Sequence, residues 1–223
     1  MVQRTTGVSG ALVAAIERAW ADIRRRHPEV PAVVVAMGSG TLRERAGHVR
    51  LGHFAAARWR AGPDEVPELF VGGEGLERGA KELLGTLLHE AAHGLANARG
   101  VQDTSRQGRY HNQRYRALAE ELGLRAARIG AIGWSDTTVP PETELRYRPA
   151  LERLSTALVA FRHAEPRKER PSSNNGNALV CGCQRRIRVA PSVAAAGPIV
   201  CGVCRAPFEN PLERVDAGLL VRP

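Results

Sequence analysis

Apolar residues recur at helical spacing near the start of the chain, where Leu12, Ile16, Trp20 and Ile23 share one stripe with polar positions between them. Ser9 stands where a cap belongs and Pro28 forbids continuation, so a first helix is predicted to end near His27. Residues 32–37 are apolar and β-branched, the pattern of a buried strand. A second strand is predicted within 48–59 and a third, short one over 68–72. A proline-free run, 76–98, follows with Leu83, Leu84, Leu87 and Leu88, which predicts a helix that Gly100 stops. The polar stretch 101–108 reads as a loop. Tyr115, Leu118 and Leu122 restore helical spacing over 111–122. Residues 124–139 read as strand and turn, ending at Pro140 and Pro141. A last helix is predicted from Pro149 to His163, with Leu151, Leu154, Leu158 and Phe161 buried. Strands and helices in this mixed order indicate an α+β fold, and no internal repeat is present.

The pattern breaks after His163. Residues 165–177 carry no apolar side chain other than proline and are rich in turn formers, so they read as a linker. The chain therefore divides into a larger domain (1–164), the linker (165–177), a small module (178–210) and a tail (211–223). A chain of 223 residues with 43% apolar content suffices for one medium domain and an appendage.

His89-Glu90-Ala91-Ala92-His93 lies inside the predicted helix 76–98. Residues four apart on a helix stand one turn above each other, so His89 and His93 can grip one metal from one face. Glu90 follows the first imidazole and is placed to act as general base on water at that metal. A catalytic zinc takes three protein ligands and keeps one position open. His111, at the start of the next predicted helix, is the first choice for the third ligand. Glu120 and Glu121 are the alternatives, deep in the same helix. A histidine six residues beyond His93 would mark another zinc-peptidase class, but Arg99 stands there.

All four cysteines lie beyond the linker, as Cys181-Gly182-Cys183 and Cys201-Gly202-Val203-Cys204. Two close pairs at this separation have the spacing of a zinc ribbon, in which two turns present four thiolates to one structural zinc. Gly182 and Gly202 suit tight turns. One residue rather than two separates the first pair, and free thiols or two disulfides are the competing reading. A module this small needs such a metal to fold.

The formal charge is +9, which favours polyanionic partners, DNA above all. Nearly all of it is arginine, since Lys81 and Lys168 are the only lysines. From Glu165 onward nine basic residues face five acidic ones, including Arg167, Lys168, Arg170, Arg185, Arg186 and Arg188. The appendage is thus the expected place for phosphate contacts. No segment is long enough to cross a membrane. Residues 7–16 are uncharged and follow Arg4, but Glu17 and Arg18 interrupt the run, so it reads as a structural helix and not an export signal. A cytosolic protein is expected, associated with the nucleoid if DNA is its partner.

The ordered set of a short strand, Leu83-Leu84-Gly85-Thr86-Leu87-Leu88-His89-Glu90-Ala91-Ala92-His93, a polar loop, His111 with Tyr115, and a four-cysteine ribbon resembles the SprT-like zinc metallopeptidase family, which includes the Spartan proteases. The resemblance covers roughly residues 9–210. It implies a zincin-like domain, His89, His93 and His111 as zinc ligands, and Glu90 as general base. It also implies a link to proteins crosslinked to DNA, which eukaryotic members degrade. Two departures stand out. Where the family usually shows Gly-x-Glu-Phe after its third histidine, this chain has Asn112-Gln113-Arg114-Tyr115, and its first cysteine knuckle is one residue short. The expectation is a zinc endopeptidase with one catalytic and one structural Zn²⁺. The alternative is a non-catalytic, zinc-dependent DNA-binding or regulatory protein. Tyr110, Tyr147 and Arg109 are candidates by type for stabilising the transition state. His27, His48, His53 and His163 read as surface or packing residues, and Trp20, Trp59 and Trp134 as core.

Overall fold

The computed structural model describes residues 7–41, 48–165 and 176–211. They form two compact units, the boundary falling between Pro166 and Arg167. Most of the predicted linker (166–175), with Arg167, Lys168 and Arg170, and of the tail (212–223) lies outside the described residues.

The larger unit opens with α1 (Val8–Arg26). Its stripe of Leu12, Ile16, Trp20 and Ile23 is buried, joined by Ala15 and Ala19. Ser9 lies inside the helix, and Gly7 is the residue at its start, without a side-chain cap. Three arginines, Arg24 to Arg26, occupy the last turn, where cations offset the helix dipole.

Three strands follow: β1 (Val34–Gly38), β2 (Gly52–Ala61) and β3 (Asp64–Gly72). β2 and β3 form an antiparallel hairpin, and β1 joins β3 in parallel, giving the order β1-β3-β2. β3 is therefore central and paired on both sides. β2 carries a bulge between Ala55 and Trp59, with Ala57 at φ +52°. Trp59 is 45% exposed and its Nε1 donates to Glu68, so it does not belong to the core as predicted.

A short 3-10 helix (Gly73–Arg78) leads into α2 (Ala80–Ala98). The predicted stop at Gly100 holds, with φ +63° there. Leu83, Leu84, Leu87, Leu88, Ala91, Ala92, Leu95 and Ala96 are all buried, so α2 is enclosed on most of its circumference. It is the central post of the unit, packed against α1, α3, α5 and β2.

A second sheet has the order β4-β5-β7-β6, built from β4 (Thr104–Ser105), β5 (Tyr110–His111), β6 (Arg125–Ile129) and β7 (Gly133–Thr138). Between β5 and β6 runs α3 (Gln113–Glu121), capped by Asn112, whose Oδ1 accepts from the amides of Arg114 and Tyr115. Two helices close the unit, α4 (Pro141–Arg146) and α5 (Arg148–Ala157). α4 was not predicted, because Pro140 and Pro141 read as a stop; Pro141 instead starts a helix, where its missing N–H costs nothing. α5 ends earlier than expected, and Phe161 is 45% exposed rather than buried.

The smaller unit pairs β8 (Asn177–Val180) with β9 (Arg186–Val189), followed by a single helical turn, α6 (Pro191–Ala195). Isolated bridges Val180–Glu209 and Val200–Pro207 tie its two ends together. No helix among the described residues is long and apolar enough to cross a membrane.

Candidate metal centre

Helical geometry alone sets His89 and His93 side by side on α2, and the second sheet supplies the third imidazole. His111 lies on β5, one residue before the cap of α3, and not on the helix itself. Its strand meets β7 through Gly133, which has φ +73°; a Cβ there would stand 2.1 Å from the His111 carbonyl oxygen. Only glycine allows this approach, which fixes the height at which His111 enters the site.

The ligand atoms of His89, His93 and His111 all lie within 4.8 Å of one another. Nε2 of His111 is 3.2 Å from Nε2 of His93. Two nitrogens bound to one tetrahedral zinc stand about 3.3 Å apart, given bonds of about 2.0–2.1 Å. Two of the three outward nitrogens are engaged as well, while Nδ1 of His111 has no partner among the described residues. Nδ1 of His93 is 2.5 Å from Oδ2 of Asp103, and Nδ1 of His89 is 3.1 Å from Oγ1 of Thr137. Such partners orient an imidazole and leave Nε2 for a metal. The residues present therefore fit a metal ion held by three imidazoles.

Electrostatics agrees. Burial, and then His93 and His111, press His89 well below its ordinary value. Burial and His93 lower His111 to about 4. Both rings are held neutral, the form that binds metal. Burial works against charge on His93, but the Asp103 hydrogen bond and Glu90 outweigh it and raise this one ring. Tyr115 forms the floor, its ring centroid 5.0, 4.8 and 4.5 Å from those of His89, His93 and His111.

Glu90 is buried beside the imidazoles, 6% exposed. Its Oε2 accepts from the Phe54 amide on β2 at 2.8 Å. Burial raises its pKa, against the pull of His93 and the Phe54 amide. Gly52 makes room for the carboxylate. A Cβ at that position would lie 2.6 Å from Cγ2 of Thr86 and 2.8 Å from Oε1 of Glu90.

Cavities open on either side. One, of about 310 Å³, is lined by Leu51, Thr86, Ser135, Asp136 and Val139; the other, of about 500 Å³, by His53, Phe54, Asn97, Asp103 and Thr104. Arg50, Gly52, His89 and Glu90 line both, so Glu90 sits at the waist of a cleft bounded by β2. Among the described residues the free sheet edge beside the site thus belongs to β2, since β3, the strand before α2, is central in the sheet. His53, read from sequence as a packing residue, lines the cleft.

Of the other residues singled out, Tyr147 is buried in the core under Arg26, and Tyr110 and Arg109 line neither cavity. Glu120 pairs with Arg116 and Glu121 with Arg99, which removes both from the ligand set. Asp103, Thr137, Arg50 and Gly52 were missed. Asp103 lay in the polar loop 101–108 with no periodic signal to mark it.

In the smaller unit Cys181, Cys183, Cys201 and Cys204 converge as free thiols. Sγ of Cys183 is 3.4 Å from that of Cys181 and 3.8 Å from that of Cys201. Tetrahedral Zn–S bonds of about 2.3 Å place sulfurs about 3.8 Å apart. The two turns are matched. Cys181 N–H donates to the Arg185 carbonyl and Cys201 N–H to that of Ala206. Each second cysteine is followed by a residue with positive φ, Gln184 at +66° and Arg205 at +58°. The shorter first pair therefore closes a turn one residue tighter, yet still brings both thiols in. Amides of Cys204 and Val203 pull the Cys201 thiol down to about 6, which prepares it for a cation.

Comparison with protein-family models, with curated proteins and with solved structures returns no match.

Proposed function

We propose that this chain is a zinc-dependent endopeptidase of the SprT-like kind, with a zincin-like larger unit and a four-cysteine zinc ribbon. Its substrates are proteins, with DNA-associated or DNA-crosslinked proteins as the candidate class. The observation that carries this reading is the buried Glu90 carboxylate, held by the Phe54 amide beside three converging imidazoles. A structural metal site has no use for an acid in that place, since burying it is costly.

Zinc, when bound by His89, His93 and His111, supplies a Lewis acid that polarises the scissile carbonyl and acidifies water. Glu90 accepts the proton of the attacking water and delivers it to the leaving amine nitrogen as the C–N bond breaks. The Phe54 amide engages Oε2, which leaves Oε1 as the oxygen to exchange the proton. Asp103 and Thr137 hold the outward nitrogens of His93 and His89 and so keep their rings aimed inward. The outer edge of β2 offers backbone groups for an extended substrate laid across the cleft. Arg50, which lines both cavities, is a better candidate than Tyr110, Tyr147 or Arg109 for the cation facing developing negative charge.

The test is cleavage of a denatured protein and of a histone by zinc-loaded protein, with and without single-stranded DNA, against the Glu90→Gln variant. Cleavage by the wild type that disappears in the variant while zinc is retained supports the reading. A zinc-loaded wild type that cleaves neither substrate overturns it in favour of a non-catalytic DNA-binding or regulatory protein.

A further inference from the structure

Four exposed arginines of the larger unit, Arg106, Arg109, Arg114 and Arg128, have no carboxylate within ion-pairing distance among the described residues. Neither residues 104–119 nor 125–135 contain an Asp or Glu, so the surface built from β4, β5, β6 and the start of α3 is locally uncompensated. The charges gather round two half-buried aromatic rings. The Arg106 guanidinium lies 5.1 Å over the ring of Tyr110, and Arg128 donates to its hydroxyl at 3.4 Å. Arg116, although paired with Glu120, stacks 4.4 Å from the ring of Trp134. Between them lies a groove of about 430 Å³ lined by Tyr110, Asn112, Gln113, Arg114, Arg128 and Trp134.

We propose that this face binds single-stranded nucleic acid, with phosphates on Arg106, Arg109, Arg114 and Arg128 and an unpaired base against Tyr110 and Trp134. Repulsion among four neighbouring cations is relieved by an anion that spans them, and a phosphate chain does so at regular spacing. An acidic peptide would match the charge but leave the ring faces unused. A duplex would present phosphates but keep its bases stacked inside. A single strand uses both, since any base has a face to stack on an aromatic ring. This assigns the nucleic-acid contact to the larger unit, whereas charge counting along the chain pointed to the appendage. Tyr110 immediately precedes His111 on β5, and neighbouring side chains of a strand point to opposite faces, so the groove lies across β5 from the metal cleft and not within it. The binding does not rest on the proposed peptidase reading.

The test is fluorescence anisotropy of zinc-loaded, full-length Glu90→Gln protein, which cannot confuse binding with cleavage. The probe is a labelled oligothymidylate of about 20 nucleotides, longer than a single binding site, alongside a duplex of equal length. Arg114→Glu/Arg128→Glu should weaken the single strand at least tenfold and flatten the salt slope by about 1.4, two contacts at about 0.7 each. Tyr110→Ala should weaken it roughly tenfold with the salt slope nearly unchanged, as loss of stacking does. Arg185→Glu/Arg186→Glu, on the appendage, should leave it within about twofold. Thermal melting checks each fold, and Arg114→Ala/Arg128→Ala replaces the reversal if that variant melts early. Absent binding at low salt, affinity indifferent to Arg114 and Arg128, loss that follows the appendage variant instead, or duplex preference with Tyr110→Ala silent would each overturn the proposal. Failure of cleavage with this binding intact would count against the peptidase alone.

Discussion

Oδ2 of Asp103 lies 2.5 Å from Nδ1 of His93, while the backbone carbonyl of Asp103 accepts from the Asn112 amide at 3.0 Å. One loop residue is thereby tied both to a ligand on α2 and to the segment that carries His111. The pair fixes which nitrogen of His93 is turned to a metal the three imidazoles could hold, and braces the segment of His111. Asp103→Ala should lower zinc affinity at the histidine centre about 10–100-fold, with Thr137→Val milder because its hydrogen bond is longer and neutral. Competition with a chromophoric chelator measures both.

Glu90→Gln should reduce cleavage at least about 100-fold while two zinc ions per chain remain bound, as read by elemental analysis. The same change separates a stability effect in chelator-treated protein. Burial raises the folded-state pKa of Glu90 above its ordinary 4.5, so the folded state holds its proton when the unfolded state has lost it. Stability of the wild type then falls as pH rises from the unfolded value through the raised folded one. The metal-free variant should melt higher than wild type at neutral pH, and the gap should close below about pH 4.5. A gap that widens in acid would refute the assignment.

Gly52→Ala tests the packing above the carboxylate. The new methyl would stand 2.6 Å from Thr86 Cγ2 and 2.8 Å from Glu90 Oε1, so one of them must move. A stability loss of about 1–3 kcal/mol is expected, together with a fall in kcat larger than any change in KM. Chemical denaturation and steady-state kinetics on the same sample would show it.

Tyr115→Phe should behave differently. The Tyr115 ring packs against all three imidazoles, but its buried hydroxyl has no partner. Removing an unsatisfied hydroxyl while keeping the ring should be neutral or stabilising by up to about 1 kcal/mol in urea unfolding, with zinc content unchanged.

Cys201→Ser should lower zinc content from two to one per chain. Residues 176–211 should then become sensitive to protease, because four thiols on short strands are the core of that unit. The melting transition of the larger unit should stay within a few degrees of wild type, since its own hydrophobic core is complete.

What the sequence determined by itself was local. His89 and His93 share a helix face because an α-helix has a fixed period, with Glu90 beside them, and the four cysteines were legible from spacing alone as a group that could hold a metal. The α1 stripe and the buried leucines of α2 followed from the same periodicity. Tertiary structure decided what depends on contacts between distant segments. Which strand lies at the sheet edge, that His111 arrives on a strand pinned by Gly133, and that Asp103 and Thr137 back the imidazoles all arise from pairings between segments separated in sequence. So does the gathering of Arg114, Arg128, Tyr110 and Trp134 round one groove, because β5 and β7 meet only after α3 and β6 have folded back between them. Period and spacing carry no information about such pairings: they are set by backbone hydrogen bonding across the sheet and by what each buried face can exclude from water.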